Sequence, residues 1–336
     1  MTEASALWFQ AREEAAILPE RLPAATDGWC EIRTHFSALS PGTERLVYNA
    51  QVPPELAEAM RCPYMGGAFP FPVKYGYSLV GTVSAGPEAL LGQAVHVLHP
   101  HQDYCLVRCE DIYALPPGVP LRRATLASNL ETAVNVVWDA QVCLGERALV
   151  VGFGIVGSLV ARLLSFIPGV QLEIVDTAPG KQRLASEIGF CSTHVDDLEP
   201  SFDLAIHASA SSEGLQVALD HVGFEGRVVD LSWYGTRPVT VQLGGTFHHQ
   251  RKRIISSQVS SIAPAQRPRW DNRRRKALVF DLLSRPEFDA HLTHAVAFGA
   301  LPRLFQQLSR PPTEGLAYLV DYAKTPRTRL NKEYAK

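Results

Sequence analysis

Short apolar runs separated by proline and glycine fill the first 120 residues. CEIRTHFSAL (30–39), YSLVGTVSAG (77–86), QAVHVLH (93–99) and YCLVRCEDIYAL (104–115) have strand lengths and turn residues between them. They predict a β-rich region, closed by Pro116-Pro117-Gly118-Val119-Pro120. From Leu121 to about Ser260 the pattern changes. ALVVGF (148–153) predicts a buried strand and SLVARLLSFI (158–167) a helix. LEIVD (172–176) predicts a strand, KQRLASEIG a helix, and DLAIHAS (203–209) and GRVVDLS (226–232) further strands. Such alternation predicts a parallel sheet with helices on both faces. Beyond Trp270 the pattern predicts a long helix (DNRRRKALVFDLLSR), a short strand (HAVAF), a helix (ALPRLFQQL) and a final strand (LAYLVDY). The expected fold class is α/β. A doubly wound parallel sheet spans 121–265, beside a β-rich domain of 1–120 that 266–336 completes.

Composition narrows the class. The 336 residues are 46% hydrophobic and 20% charged, with a formal net charge of −2, which excludes a mainly disordered chain and a global basic field for nucleic acid. The longest uncharged stretch, Ala148 to Ala161, has 14 residues, too short for a membrane helix. The six cysteines, at 30, 62, 105, 109, 143 and 191, form no C-x-x-C pair. They predict a reducing, cytoplasmic setting. The N-terminus has no basic and apolar pattern of a secretory signal.

The strongest chemical signal is Gly152-Phe153-Gly154-Ile155-Val156-Gly157, a G-x-G-x-x-G between a predicted strand and a predicted helix. In that context the glycines permit a tight turn, close approach of a pyrophosphate and close helix packing. Asp176 ends the next strand, where an acid accepts hydrogen bonds from the adenosine ribose and repels a 2′-phosphate. NAD(H) is therefore expected over NADP(H).

With these parts in this order, the chain resembles the medium-chain dehydrogenase/reductase superfamily, the relatives of zinc alcohol dehydrogenase, over essentially its whole length. Ser40-Pro41-Gly42-Thr43-Glu44 sits where that family carries its first zinc-ligand loop. Tyr75-Gly76-Tyr77-Ser78-Leu79-Val80-Gly81 is similar to its G-H-E-x-x-G stretch, and Thr132-Ala133-Val134-Asn135 to its helix facing the nicotinamide. LSPGTERLVY and FHHQRKRIISSQ look most like the bacteriochlorophyllide dehydrogenase-like branch. The resemblance implies a GroES-like catalytic domain, a Rossmann cofactor domain and a homodimer. It also implies cofactor contacts at Thr132, Lys181, Ala208, Ser209, Leu231, Ser232 and Trp233.

The family's zinc ligands are missing. Ser40 stands at the cysteine position, Tyr77 at the histidine and Ser78 at the neighbouring glutamate. Neutral hydroxyls are poor zinc ligands, and Glu131 near the third position does not make a site alone. No catalytic zinc is expected. The structural-zinc cysteines are also missing. A substitute set of His99, His101, Cys105 and Cys109 is disfavoured, because Cys105 and Cys109 would lie about 13 Å apart along a strand. Without zinc, a side chain must supply the proton. Tyr77 is the first candidate and Tyr48 the second, with Thr43 and Glu44 relaying protons or orienting substrate. His99 and His101 are candidates for titration near neutral pH.

Nine basic residues between Arg251 and Lys276 face one acid, Asp271. They suggest a small anionic substrate, although Arg273, Arg274 and Arg275 cannot all face one cleft on a helix. The reading is a zinc-independent, NAD(H)-dependent oxidoreductase moving hydride between nicotinamide and an alcohol or carbonyl. The alternatives are an enone or quinone reductase and a non-catalytic nucleotide-binding or sensing protein. No nucleic-acid or membrane partner is expected.

Overall fold

The computed structural model describes residues 2–199, 201–310 and 313–323, so residues 324–336 of the expected return lie outside the described residues. Strands β1 (Thr2–Ala11) and β2 (Glu14–Leu22) form an antiparallel hairpin. β3 (Trp29–Leu39) leads into helix α1 (Pro41–Tyr48). β4 (Leu79–Ala85), β5 (Ala94–Val97) and β6 (Tyr104–Arg108) follow. β3 pairs with both β4 and β6, and β4 with β5. Cys30 and Ile32 on β3 share a small core with Leu79, Val83, Val95, Val97, Cys105 and Val107. The sequence placed a loop at 40–44. The chain instead turns helical at Pro41, whose fixed φ suits a first helical position.

The second half alternates strand and helix. Its elements are α2 (Ala127–Ala140), β7 (Arg147–Val151), α3 (Ile155–Leu164), β8 (Gln171–Val175) and α4 (Pro179–Glu187). Then come β9 (Phe202–His207), α5 (Ser212–His221), β10 (Val222–Asp230) and β11 (Arg253–Ser256). The strands form one parallel sheet in the order β8-β7-β9-β10-β11. Helices cover both faces because side chains alternate along each strand. Ala148 and Val150 of β7 belong to the core under α2 and α3. Leu149 and Val151 belong to the core on the opposite face, under α5.

The chain then returns. α6 (Asn272–Leu283) buries Val279, Phe280 and Leu283 in the core shared with α2 and α3. β12 (His294–Ala297), α7 (Leu301–Leu308) and β13 (Tyr318–Asp321) follow. β13 runs antiparallel to β3, so the end of the chain extends the first sheet. The result is an α/β molecule with one parallel and one mostly antiparallel sheet system. No helix among the described residues is long and apolar enough to cross a membrane.

Much of the basic run is engaged within the fold. Arg251 pairs with Glu225, and Lys252 Nζ donates to the Leu219 carbonyl and the Thr246 hydroxyl at 2.7 Å each. Arg267 Nε donates to the Ile262 carbonyl, and Arg273 to the Glu110 carbonyl. Arg274 lies over the Trp270 ring, 4.1 Å from its centre. Arg275 and Lys276 turn inward, both onto Glu131. The run fastens α6 to its surroundings. Glu131 is therefore a buried counter-ion of α6.

Candidate active site

The glycine turn is built as its motif predicts. Gly152 has a φ of +99°, and a Cβ there would lie 2.6 Å from the Ser209 nitrogen. A Cβ on Gly157 would lie 2.1 Å from the Gly152 carbonyl oxygen and 3.2 Å from the Ala208 Cβ. Gly154 differs, with open space around its missing side chain. Two glycines are thus required by the fold, and Gly154 is not. Ile155 and Val156 open α3. The buried Phe153 side chain belongs to the core, while its N–H donates to Asp176 Oδ2 at 2.7 Å. Gly154→Val is expected to leave the melting temperature within about 2 °C while abolishing most dinucleotide binding. Gly157→Ala is expected to lower it by several degrees, as over-packing costs about 1–3 kcal/mol. Thermal melts and nucleotide titrations of both variants check this.

Asp176 follows β8. Its Oδ1 accepts from the Ala178 N–H at 2.8 Å, so two backbone donors pin the carboxylate beside the turn. Lys181 donates its ammonium to the Gly315 carbonyl, and burial, against the nearby Asp176 charge, lowers it to about 8. On the other flank, the Ala208 N–H binds the Val151 carbonyl, and Ser209 is exposed beside the turn. The Leu231 N–H binds the His207 carbonyl, and Ser232 Oγ accepts from the Ala210 N–H. Gly235, at φ +64°, presses against the carbonyl of Gln51, so the loop carrying Trp233 leans on the end of α1. The half-buried Trp233 has a buried indole N–H with no acceptor among the described residues. Thr132 lies half-buried on α2 and donates to the Ser128 carbonyl at 3.2 Å.

The candidate chemical groups separate into two places. Ser40, Thr43 and Glu44 lie near the Tyr77 phenol. Burial and then Glu44 push its phenol well above the usual range, against the two hydroxyls. Tyr48 is corrected to a core residue. It is fully buried, packs edge-on against Phe9, and donates its hydroxyl to the Glu13 carbonyl at 2.6 Å. Glu44 is also fully buried. Its Oε1 accepts from the Ser40 N–H and its Oε2 lies 2.8 Å from His101 Nε2. His101 Nδ1 contacts Ser37 Oγ at 2.7 Å, which in turn meets the Tyr322 hydroxyl. Asn129 Nδ2 donates to Ser40 Oγ at 3.1 Å, and Ser128 Oγ donates to the Tyr77 carbonyl at 2.7 Å. Neither α2 residue is marked in the sequence, where ASNLETA reads as ordinary helix.

This donor set does not fit zinc. It offers hydroxyls at Ser40 and Tyr77, and a Glu44 carboxylate whose two oxygens are both engaged. Ser78 donates to the Thr125 carbonyl at 2.6 Å. Among the described residues no three His, Cys, Asp or Glu side chains come together as a metal site. His99, His101, Cys105 and Cys109 do not converge. His99 stacks on Tyr64, His101 faces Glu44, Cys105 is buried in the β3 core, and Cys109 lies 3.2 Å from Cys30. His99 is also not a neutral-range titrating group, because burial drives it down to about 3.

No family model matches the chain. It is 24% identical to a 2-dehydro-3-deoxy-L-galactonate 5-dehydrogenase of Pseudoalteromonas atlantica over 143 residues, 39% of this chain and 42% of that protein. It is 23% identical to a D-guloside 3-dehydrogenase of Escherichia coli over 286 residues, 75% of this chain and 80% of that protein. Among solved structures, an E. coli alcohol dehydrogenase complexed with NADH superposes with a TM-score of 0.77 at 15% identity. The match covers 96% of this chain and 100% of that one. A protein described as a zinc-binding dehydrogenase from Sinorhizobium meliloti, bound to NADP, superposes at 0.75 and 15% identity, over 96% and 100%. The fold is that of these dehydrogenases.

Proposed function

We propose that the chain is a medium-chain, alcohol-dehydrogenase-like oxidoreductase that uses NAD(H) without a catalytic zinc. Its substrate is an alcohol or carbonyl carbon of a small molecule. The observation that carries this reading is the glycine turn: Gly152 and Gly157 are closed by backbone, Gly154 stands open, and Asp176 is pinned beside them. The dehydrogenase relatives and the dinucleotide-bound structures of the same fold support it. A nicotinamide bound there supplies or accepts the hydride. Asp176 favours an unphosphorylated adenosine ribose, and Lys181, spent on Gly315, offers little to a 2′-phosphate.

Tyr77 is the proposed proton donor. A carbonyl receiving hydride gathers negative charge on oxygen, and the buried phenol keeps its proton at neutral pH until it is given up. Thr43 and Ser40 orient the phenol, and Glu44 holds the turn that carries Ser40. An anionic substrate is supported by Arg45 rather than by the basic run. Arg45 lies half-buried on α1, has no acidic partner among the described residues, and feels the charge of Arg237 from the Gly235 loop. A homodimer is proposed through β11, the edge of the parallel sheet, where Ile254 is exposed. A reducing compartment is supported by six unpaired cysteines.

Fluorescence titration of metal-analysed protein tests the reading. NADH is expected to bind at least tenfold more tightly than NADPH, with turnover that does not track zinc content. Tighter NADPH binding would reverse the cofactor assignment. Zinc-dependent turnover would remove the zinc-independent reading, and failure to bind either nucleotide would remove the oxidoreductase.

A further inference from the structure

Two sulfurs that the proposed hydride and proton steps do not use meet where the first sheet begins. Cys30 stands on β3 directly across from Val107 of β6. Cys109 follows β6 in a 3₁₀ turn, Cys109–Asp111, and its N–H donates to the Gly28 carbonyl at 2.9 Å. Residues opposite one another on paired strands share a face, and so do residues two apart along one strand. The pairing therefore sends Cys30 and Cys109 to the same face, and their sulfurs lie 3.2 Å apart as free thiols. Cys30 is fully buried, whereas Cys109 is half-buried. Gly86 makes the room for this contact: a Cβ there would lie 2.8 Å from Cys30 Sγ.

The turn that carries Cys109 is also a junction. Tyr64 donates its hydroxyl to the Asp111 carboxylate and accepts from the Arg108 N–H at 2.9 Å. The Tyr64 ring stacks on His99. Arg273 of α6 donates to the Glu110 carbonyl. One short turn thus holds together the end of β6, the loop of Tyr64 and the helix that returns from the parallel sheet. A covalent bond from Cys109 to β3 would fasten all three to the start of the first sheet.

We propose that Cys30 and Cys109 are a redox modification site: a hydroperoxide joins them in a disulfide that fastens this turn to β3, and small thiols reverse it. The two sulfurs have different roles. Cys109 is the one a small oxidant reaches. Its thiolate attacks the peroxide, an S–O bond forms, the O–O bond breaks and hydroxide leaves to become water. The Cys30 thiol then attacks the sulfenic sulfur. An S–S bond forms, the S–O bond breaks, and the Cys30 proton leaves with the hydroxyl as a second water. Each sulfur is oxidised by one electron, and the two peroxide oxygens are reduced to water. Burial and then Cys109 raise the Cys30 thiol, which suits a group that waits protonated for its neighbour. In a reducing compartment such a bond is transient rather than structural. This site stands apart from the dinucleotide reading and does not depend on it.

Hydrogen peroxide treatment of the folded chain, followed by alkylation, intact mass and peptide mapping, tests it. The expected product has lost the mass of two hydrogens and yields one cross-linked peptide pair holding Cys30 and Cys109. Dithiothreitol is expected to restore both thiols. The oxidised protein is expected to melt about 3–6 °C higher, because the bond closes a long loop of chain. Cys109→Ser is expected to abolish the cross-link and the peroxide-induced rise in melting temperature, and Cys143→Ser, at an exposed cysteine, to keep both. Cys109 recovered as a sulfinic acid beside a free Cys30 would overturn the proposal. So would a bridge from Cys30 to Cys105, or a bridge that forms only in urea. A Cys30–Cys109 cross-link that leaves the melt unchanged would overturn the fastening of the turn.

Discussion

Tyr77→Phe is expected to reduce turnover in carbonyl reduction by at least about a hundredfold, the usual contribution of a positioned general acid. NADH affinity should stay within about twofold, because no element of the glycine turn touches the phenol. The expectation follows from what surrounds the hydroxyl. Burial and the Glu44 charge both keep the phenol protonated and make it a weaker acid than a free tyrosine, so it gives its proton only to a strongly basic alkoxide oxygen. Tyr48→Phe is the internal control. Its hydroxyl ends on the Glu13 carbonyl within an aromatic cluster of Phe9 and Phe305. Its loss should cost about 1 kcal/mol of stability and leave turnover nearly unchanged. Steady-state kinetics and melts of both variants separate the two tyrosines. Equal turnover in Tyr77→Phe and wild type would remove Tyr77 from the chemistry.

The contrast between these tyrosines shows what a sequence carries and what it hides. The glycine turn was legible because its requirements are local: a strand, three glycines and a helix within 18 residues, 147–164. Tyr48 and Tyr77 each sit among apolar neighbours, and nothing local tells which hydroxyl meets other hydroxyls. Tyr48 is decided by Phe9 and Phe305, which only the fold brings together. Lys181 matched a family position, but its ammonium is fixed by a carbonyl 134 residues away. His207 and Asp230 are 23 residues apart and become neighbours only through parallel strand register.

The basic run shows the same limit for charge. Nine cations against one acid look like a surface when counted along the chain. Folding instead distributes them among carbonyls, the Trp270 ring and the acids Glu225 and Glu131, both distant in sequence. Arg45 gave no such signal, because one arginine in LSPGTERLVY is unremarkable by count. Its lack of an acidic partner appears only once α1 and the Gly235 loop are packed together.

Acid is expected to destabilise the protein well above the carboxylate range. Burial lowers His99 and His291 to about 3 and His96 well below its ordinary value. Lys276 near His96, Lys74 near His99 and Arg162 near His291 add charges that oppose protonation. The folded protein therefore keeps these imidazoles neutral, while the unfolded chain protonates them below about 6.5. A lowered folded value means that the unfolded state binds more protons, so stability falls as pH falls through 6.5. Each imidazole loses about 2 kcal/mol between pH 7 and 5, and three lose about 5–6 kcal/mol together. That is comparable with the whole stability of a typical domain, about 5–15 kcal/mol. Asp103 and Asp139, raised by burial, oppose the loss only nearer the carboxylate range. Urea melts at pH 7, 6 and 5 should show a steep fall in midpoint. His291→Gln, which cannot titrate, should remove about a third of the slope. A midpoint that holds steady from pH 7 to 5 would mean that these imidazoles do not stay neutral in the fold.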